Sequence, residues 1–216
     1  MDQREVYFSF SDREREKQAS REMDLSALKE GRISHSELAH RNDFFANLKI
    51  AVLVEESPSN LGDLHRAWPI TEPDTFYTFA SGGLGWNLPA SVGIALAERD
   101  SGRNRPVIMV VGDGSFQYSV QSIWSAAQLH LPILIVVLRN EEYCILKSFA
   151  VLEQAPGVPG LDLPGIDIVS LAQGYGCDAA RLEDLDAIKM AAVEAWGKQR
   201  PTVLEIRISA EVPPLI

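Results

Sequence analysis

The amino-acid sequence predicts an α/β protein, a doubly wound and mainly parallel sheet with helices on both faces. Three observations predict it. Residues 107–111 and 133–138 are short, unbroken apolar runs of strand length, the pattern of strands buried on both faces. Helical segments alternate with such runs, as the crossovers between parallel strands require. The run at 107–111 ends in Gly112-Asp113-Gly114 and passes straight into a helix, so polar residues fall at a strand's carboxyl end, where such sheets bind ligands.

Each element follows in chain order. Residues 11–32 are dense in alternating charge (Asp12, Arg13, Glu14, Arg15, Glu16, Lys17) with few apolar anchors, which predicts a solvated helix or loosely ordered arm. Residues 1–35 therefore read as a charged N-terminal arm or the remnant of a preceding domain, and 36–216 as the main domain. Residues 36–48 predict a helix with Leu38, Phe44, Phe45 and Leu48 on its apolar side. The run at 50–54 predicts the first strand, and Ser57-Pro58-Ser59 a turn after it. Ala-rich residues 89–98 predict a helix stopped by Asp100-Ser101-Gly102. After the strand at 107–111, Ser115 opens a helix to about His130, and 133–138 is the next strand. Residues 168–175 and 185–196 predict helices, and 202–208 a closing strand.

Composition narrows the function. The 216 residues are 46% hydrophobic and 23% charged, ordinary for one large domain with an arm. The formal net charge is −10, and residues 51–216 hold 11 basic against 20 acidic groups. With no basic stripe to release counterions, nucleic acid is a poor partner. An acidic domain can still bind a small polyphosphate when a dication stands between the charges. Cys144 and Cys177 are the only cysteines, with neither a disulfide framework nor a zinc spacing, which points to a reducing cytoplasm. The charged opening residues predict no secretory leader, and the longest apolar stretch, 132–138, is far short of a membrane span. His35, His40, His65 and His130 are scattered, without metal-ligand spacing.

The chemistry concentrates at the ends of two strands. Glycines on both sides of Asp113 let the backbone turn sharply and approach a ligand. The helix start at Ser115 offers N–H groups to an anion. Asp113 supplies a hard carboxylate oxygen suited to Mg²⁺, and Asn140, ending the next strand, a neutral amide oxygen for the same ion. The 26 residues between them accommodate one helix and one strand, a passage that returns the chain to the same edge.

Gly112-Asp113-Gly114-Ser115 through Asn140 resembles the cofactor motif of thiamine-diphosphate enzymes. The surrounding text resembles most the 2-oxo acid decarboxylases of the benzoylformate decarboxylase type. It comprises Ala80-Ser81-Gly82-Gly83-Leu84-Gly85, Tyr118-Ser119, Trp124-Ser125-Ala126-Ala127-Gln128, the stretch 158–167 and Gly174-Tyr175-Gly176. The resemblance spans about residues 50–208, that family's pyrophosphate-binding domain. It implies that Asp113 and Asn140 ligate Mg²⁺ by their side chains and Glu142 by its main-chain carbonyl. It implies that Ser59, Gly114, Ser115 and Tyr118 line the pyrophosphate, that the Gly82 carbonyl accepts from the 4′-amino group, and that Leu84 wedges the cofactor into its bent shape. The thiazolium would then serve as electron sink for decarboxylation of a 2-oxo acid.

Four positions depart from the family. Arg139 stands where Asn is usual, Glu141-Glu142 replace smaller or neutral residues, and Cys144 replaces Gly. The family's activating glutamate belongs to a separate pyrimidine-binding domain, so no catalytic residue is assignable in this chain. The expectation is a domain or subunit inactive alone and completed by a pyrimidine-binding partner in a homo- or hetero-oligomer, whether the chain is a split subunit, a fragment or a relic. A carboligase component of the acetolactate-synthase type, or a non-catalytic binding or assembly module, are the alternatives.

Overall fold

The structure, a computed structural model, describes residues 18, 22–39, 48–68, 70–155 and 157–212. The chain divides into two units, Met1–Ala46 and Asn47–Ile216. In the first, residues 22–29 are helical and mainly exposed, with Ala27 buried. A second helix opens at His35 behind a reciprocal cap. The Glu37 N–H donates to Ser34 Oγ at 3.1 Å and the Ser34 N–H donates to Glu37 Oε2 at 3.3 Å. Of the helix predicted over 36–48, residues 36–39 are helical and Leu48–Ile50 forms a 3₁₀ turn. Phe44 and Phe45, like the charged run 12–17, lie outside the described residues.

The second unit is built on six strands: β1 Val52–Glu56, β2 Phe76–Thr78, β3 Val107–Gly112, β4 Ile133–Arg139, β5 Asp178–Leu182 and β6 Thr202–Arg207. They form one sheet in the order β2-β1-β3-β4-β6-β5, and every pairing is parallel. Among the described residues seven α-helices accompany them: α1 Leu61–Ala67, α2 Asn87–Asp100, α3 Asp113–Tyr118, α4 Ser122–Gln128, α5 Cys144–Leu152, α6 Ile168–Gly174 and α7 Leu185–Ala195.

The period-2 alternation of the strands sends side chains into two cores. Val52, Val54, Val107, Met109, Val111, Ile133, Ile135 and Val137 face one side, where Leu88 and Val92 of α2, Ile123 of α4 and Ile168 of α6 pack on them. Ala51, Leu53, Ile108 and Val110 face the other, with Leu64 of α1 and Trp68 against them. Burying each such aliphatic side chain contributes about 1.5–3 kcal/mol, so both faces must be covered. The doubly wound architecture is therefore as the apolar runs predict.

The strand order reverses between β1 and β3, β2 being added on one side and β4 on the other. After β1 the chain turns to α1 on one face; after β3 it turns to α3 and α4 on the other. The carboxyl ends of β1 and β3 bound the crevice where ligands bind in sheets of this kind. Glu56 pairs with Val111 and Gly112 with Leu138, so the ends of β1, β3 and β4 stand level at that edge.

The structure differs from the sequence reading at several boundaries. β1 runs two residues later than 50–54 and carries Glu55 and Glu56 fully buried at its end. The helix predicted from Ser115 to His130 starts at Asp113 and is two helices, broken at Ser119-Val120-Gln121, where Ser119 adopts φ −145°. Among the described residues, no helix is long and apolar enough to cross a membrane.

Candidate functional site

The site is assembled from three strand ends. At the end of β1 the two buried carboxylates face opposite sides of the sheet. Glu55 Oε1 accepts hydrogen bonds from the Ser57 N–H and, at 3.0 Å, from Ser57 Oγ, while Thr78 Oγ1 donates to Glu55 Oε2 at 2.8 Å. These bonds set the direction of the Pro58–Asn60 3₁₀ turn that carries Ser59. Glu56 turns the other way and receives the Gly85 N–H on Oε1 at 2.5 Å and the Asn87 N–H on Oε2 at 2.8 Å. Burial pushes the Glu56 carboxyl up from its ordinary value, and those two N–H donors oppose the shift.

At the end of β3, Gly112 is extended at φ −71°, ψ 154°, and Asp113 begins α3. Asp113 is 2% exposed. Its Oδ1 accepts from the Gly114 N–H at 2.9 Å and its Oδ2 from the Glu141 N–H at 2.7 Å. Burial still outweighs those bonds and raises the Asp113 carboxyl above the ordinary aspartate range. Ser115, two residues on, is also buried. The Tyr143 ring lies directly on Gly114, and a Cβ there would sit 2.7 Å from Tyr143 Cδ1. Burial first, and a hydrogen bond with Tyr118 second, push the Tyr143 phenol up to about 12, so it stays neutral.

At the end of β4, Asn140 Oδ1 accepts from the Glu142 N–H at 3.2 Å. The following residues are clamped by a later segment. The Tyr143 N–H donates to the Leu161 carbonyl at 2.8 Å and the Leu163 N–H to the Glu141 carbonyl at 2.7 Å. Glu141 pays for this tight turn with a left-handed backbone, φ 63°.

The departures from the family pattern compensate one another. Arg139 pairs with Glu141 and, at 3.2 Å, with the buried Glu205 of β6, which Arg181 also grips at 2.7 Å. Lys147 of α5 pairs with Glu142 and, at 2.6 Å, with Asp162. The negative charge added beside Asp113 is thus matched by cations. Cys144 is buried, and burial together with Glu142 pushes its thiol up, which leaves it protonated and a poor nucleophile.

Ser59, Leu84, Asp113, Gly114, Ser115, Asn140 and Glu142 line one small cleft, which Ser57, Tyr143 and Cys144 also border. Gly82 and Tyr118 stand apart from its lining. Gly82 is exposed at φ 70°, and Tyr118 is 57% exposed at the rim. Tyr118 touches the site through its neighbours: its ring meets Tyr143 edge-on at 6.4 Å, and its Cβ lies where a side chain at Gly85 would go. Sequence reasoning did not single out Ser57, Tyr143 or the anchoring role of Glu56.

The donor set can be tested against a metal and a polyphosphate. Asp113 and Asn140 present hard oxygens to the same cleft, and burial raises the Asp113 carboxyl despite the N–H donors and Arg139 around it, so that a dication would favour its charged form. Among the described residues, no three His, Cys, Asp or Glu side chains converge as a metal cluster. A dication here would draw its remaining ligands from main-chain oxygens and from the bound anion itself, which fits a hard ion held jointly with a phosphate group. Ser59 and Ser115 supply hydroxyls on the same cleft.

Comparison with known proteins shows the family. Residues 59–206 match the family described as thiamine pyrophosphate enzyme, C-terminal TPP binding domain. The chain is 36% identical over 156 residues to benzoylformate decarboxylase of Pseudomonas aeruginosa, covering 72% of this chain and 29% of that protein. It is 30% identical over 150 residues to the acetolactate synthase isozyme 1 large subunit of Escherichia coli, covering 68% and 26%. Among solved structures, benzoylformate decarboxylase from Polynucleobacter necessarius superposes with a TM-score of 0.75 at 51% identity, covering 79% of this chain and 34% of that one. The chain thus spans about a third, or less, of the length of these relatives.

Proposed function

The chain belongs to the thiamine pyrophosphate enzymes, carrying their C-terminal TPP binding domain, and from that premise we propose that it binds thiamine diphosphate through Mg²⁺ as the C-terminal domain or subunit of a benzoylformate-like 2-oxo acid decarboxylase. The observation that carries this reading is the meeting of Asp113 and Asn140 with Ser59 and Ser115 in one cleft at the switch point of the sheet.

Asp113 and Asn140 hold the ion by their side chains and Glu142 by its main-chain carbonyl. Buried Asp113 gains most from a dication, because the ion offsets the desolvation that raises its carboxyl. Ser59, Ser115 and Tyr118 receive the pyrophosphate, with Gly114 allowing close approach. The Gly82 carbonyl accepts from the aminopyrimidine, and Leu84 supports the bent cofactor. When bound, thiamine diphosphate supplies the carbon nucleophile and electron sink of the reaction.

The activating glutamate comes from a pyrimidine-binding domain or subunit in a homo- or hetero-oligomer, and the 216-residue chain alone does not turn over a 2-oxo acid. Exposed apolar side chains of α5, among them Leu146 at 42% and Phe149 at 49%, support a docking partner near this edge. Similarity to acetolactate synthase supports a second reading, a carboligase component.

Calorimetric titration with thiamine diphosphate, with and without Mg²⁺, tests the proposal. Saturable binding that vanishes on chelation is expected; equal binding without metal overturns the clamp. A 2-oxo acid assay on the chain alone should give no turnover.

A further inference from the structure

The loop at residues 79–86 carries Gly82 and Leu84, yet it has no regular structure of its own and exposes Gly82 and Gly83. Its far end is fixed from below. The two oxygens of Glu56 receive the N–H groups of Gly85 and Asn87, at 2.5 and 2.8 Å, while Asn87 Nδ2 donates to the Glu55 carbonyl. Two acceptors on one rigid carboxylate, engaging donors two residues apart, fix both the distance and the rotation of the segment next to Leu84. From above, the Tyr118 side chain closes on Gly85, where φ is 91°. The backbone of Glu56 is in turn paired in register with Val111, two residues before Asp113.

We propose that Glu56 is a positioning residue that gauges the separation of Leu84 from the Asp113 metal loop, and so determines how the thiamine half of the cofactor sits once its pyrophosphate is bound. This rests on the cofactor reading above. One residue thereby joins the two gripping elements, by its main chain to β3 and by its side chain to the Leu84 loop. Asn87 is also the first residue of the 14-residue α2, whose N-cap Trp86 gives no side-chain cap bond, so Glu56 doubles as a cap delivered from a neighbouring strand. A helix cap alone would affect stability without discriminating between ligands, and that difference makes the idea testable.

The full chain, wild type and Glu56→Gln, is titrated with thiamine diphosphate and separately with inorganic pyrophosphate, each with Mg²⁺. Gln keeps the size but offers one acceptor, leaving one N–H unmatched. The expected result is about tenfold weaker thiamine diphosphate binding with pyrophosphate affinity within about threefold of wild type. Exchange of the Gly85 and Asn87 amides in the ligand-free protein should quicken about tenfold. Glu98→Gln, which removes a buried carboxylate paired with Arg103 and Arg105, serves as a control for lost stability and should leave the ratio of affinities unchanged. Glu56→Asp, with the charge kept and the reach shortened, should show the same loss of ratio and provides the reading if the Gln variant does not fold. An unchanged ratio in a wild type that binds both ligands overturns the positioning role alone. A wild type that binds neither overturns the cofactor reading and this proposal together.

Discussion

The ring of Tyr143 rests on the backbone of Gly114, close enough that a Cβ at Gly114 would lie 2.7 Å from Cδ1. The glycine after Asp113 is therefore a requirement of packing as well as of chain turning. Gly114→Ala must displace the ring or the loop, at about 1–3 kcal/mol. Thermal unfolding should show the loss, and cofactor affinity should fall with it, whereas Gly93→Ala, inside α2 with open space around it, should raise stability by about 0.5–1 kcal/mol and leave affinity unchanged.

Asp113→Ala should abolish Mg²⁺-dependent binding of thiamine diphosphate while leaving a folded protein. Circular dichroism checks the fold and calorimetry the binding. Retained binding with unaltered Mg²⁺ dependence would remove Asp113 from the clamp.

The raised Asp113 carboxyl also has a pH signature. Between the ordinary aspartate range and its raised folded value, the native protein holds a proton the unfolded chain has lost. Its contribution to stability is thus full below the ordinary range and is lost as pH rises through the folded value. Urea midpoints measured without metal should fall more steeply with rising pH in wild type than in Asp113→Asn. Saturating Mg²⁺ and cofactor should flatten the wild-type profile, because the bound ion favours the charged form.

Glu141 sits at φ 63°, a conformation costly for any residue with a side chain. Its ion pair with Arg139 is at a half-exposed carboxylate and offsets little of that cost. Glu141→Gly should therefore stabilise the protein by about 0.5–1 kcal/mol, read as a raised urea midpoint.

Glu205 is 1% exposed and anchors both Arg139 and Arg181 across the end of the sheet. Its removal leaves two guanidinium groups short of their shared anion. Glu205→Ala should cost about 3 kcal/mol in chemical denaturation, more than truncating either arginine, since each is itself partly exposed.

The parts of the fold legible in the sequence are those where one local signal suffices. β3 and β4 are unbroken apolar runs with a single interpretation. β1 extends two residues beyond its apolar run because Glu55 and Glu56, which resemble the start of a surface loop, are buried by donors from Gly85, Asn87 and Thr78 that no local pattern shows. β5, Asp178-Ala-Ala-Arg-Leu, has weak strand propensity and is held at the sheet edge by β6. α5 carries no clear local signal, because Lys147 and Ser148 interrupt its apolar stretch and no cap bond marks its start. Within the site, the spacing of Asp113 and Asn140 suffices to bring both to one cleft at the sheet edge. The resting place of Tyr143 on Gly114, and the ion pairs of Arg139 and Lys147, arise from contacts distant in sequence.

The Arg139, Glu141 and Glu205 charges also constrain how this neighbourhood can evolve. Reverting Arg139 to Asn by itself deprives two carboxylates of a shared cation, while neutralising Glu205 first leaves Arg139 and Arg181 facing each other. Each single change is costly, and the cost depends on which change came before, so the loop is epistatic. Variation beside the Asp113 loop is therefore expected to arrive as linked substitutions, and a homologue carrying Arg at position 139 should also carry an acid opposite it on β6.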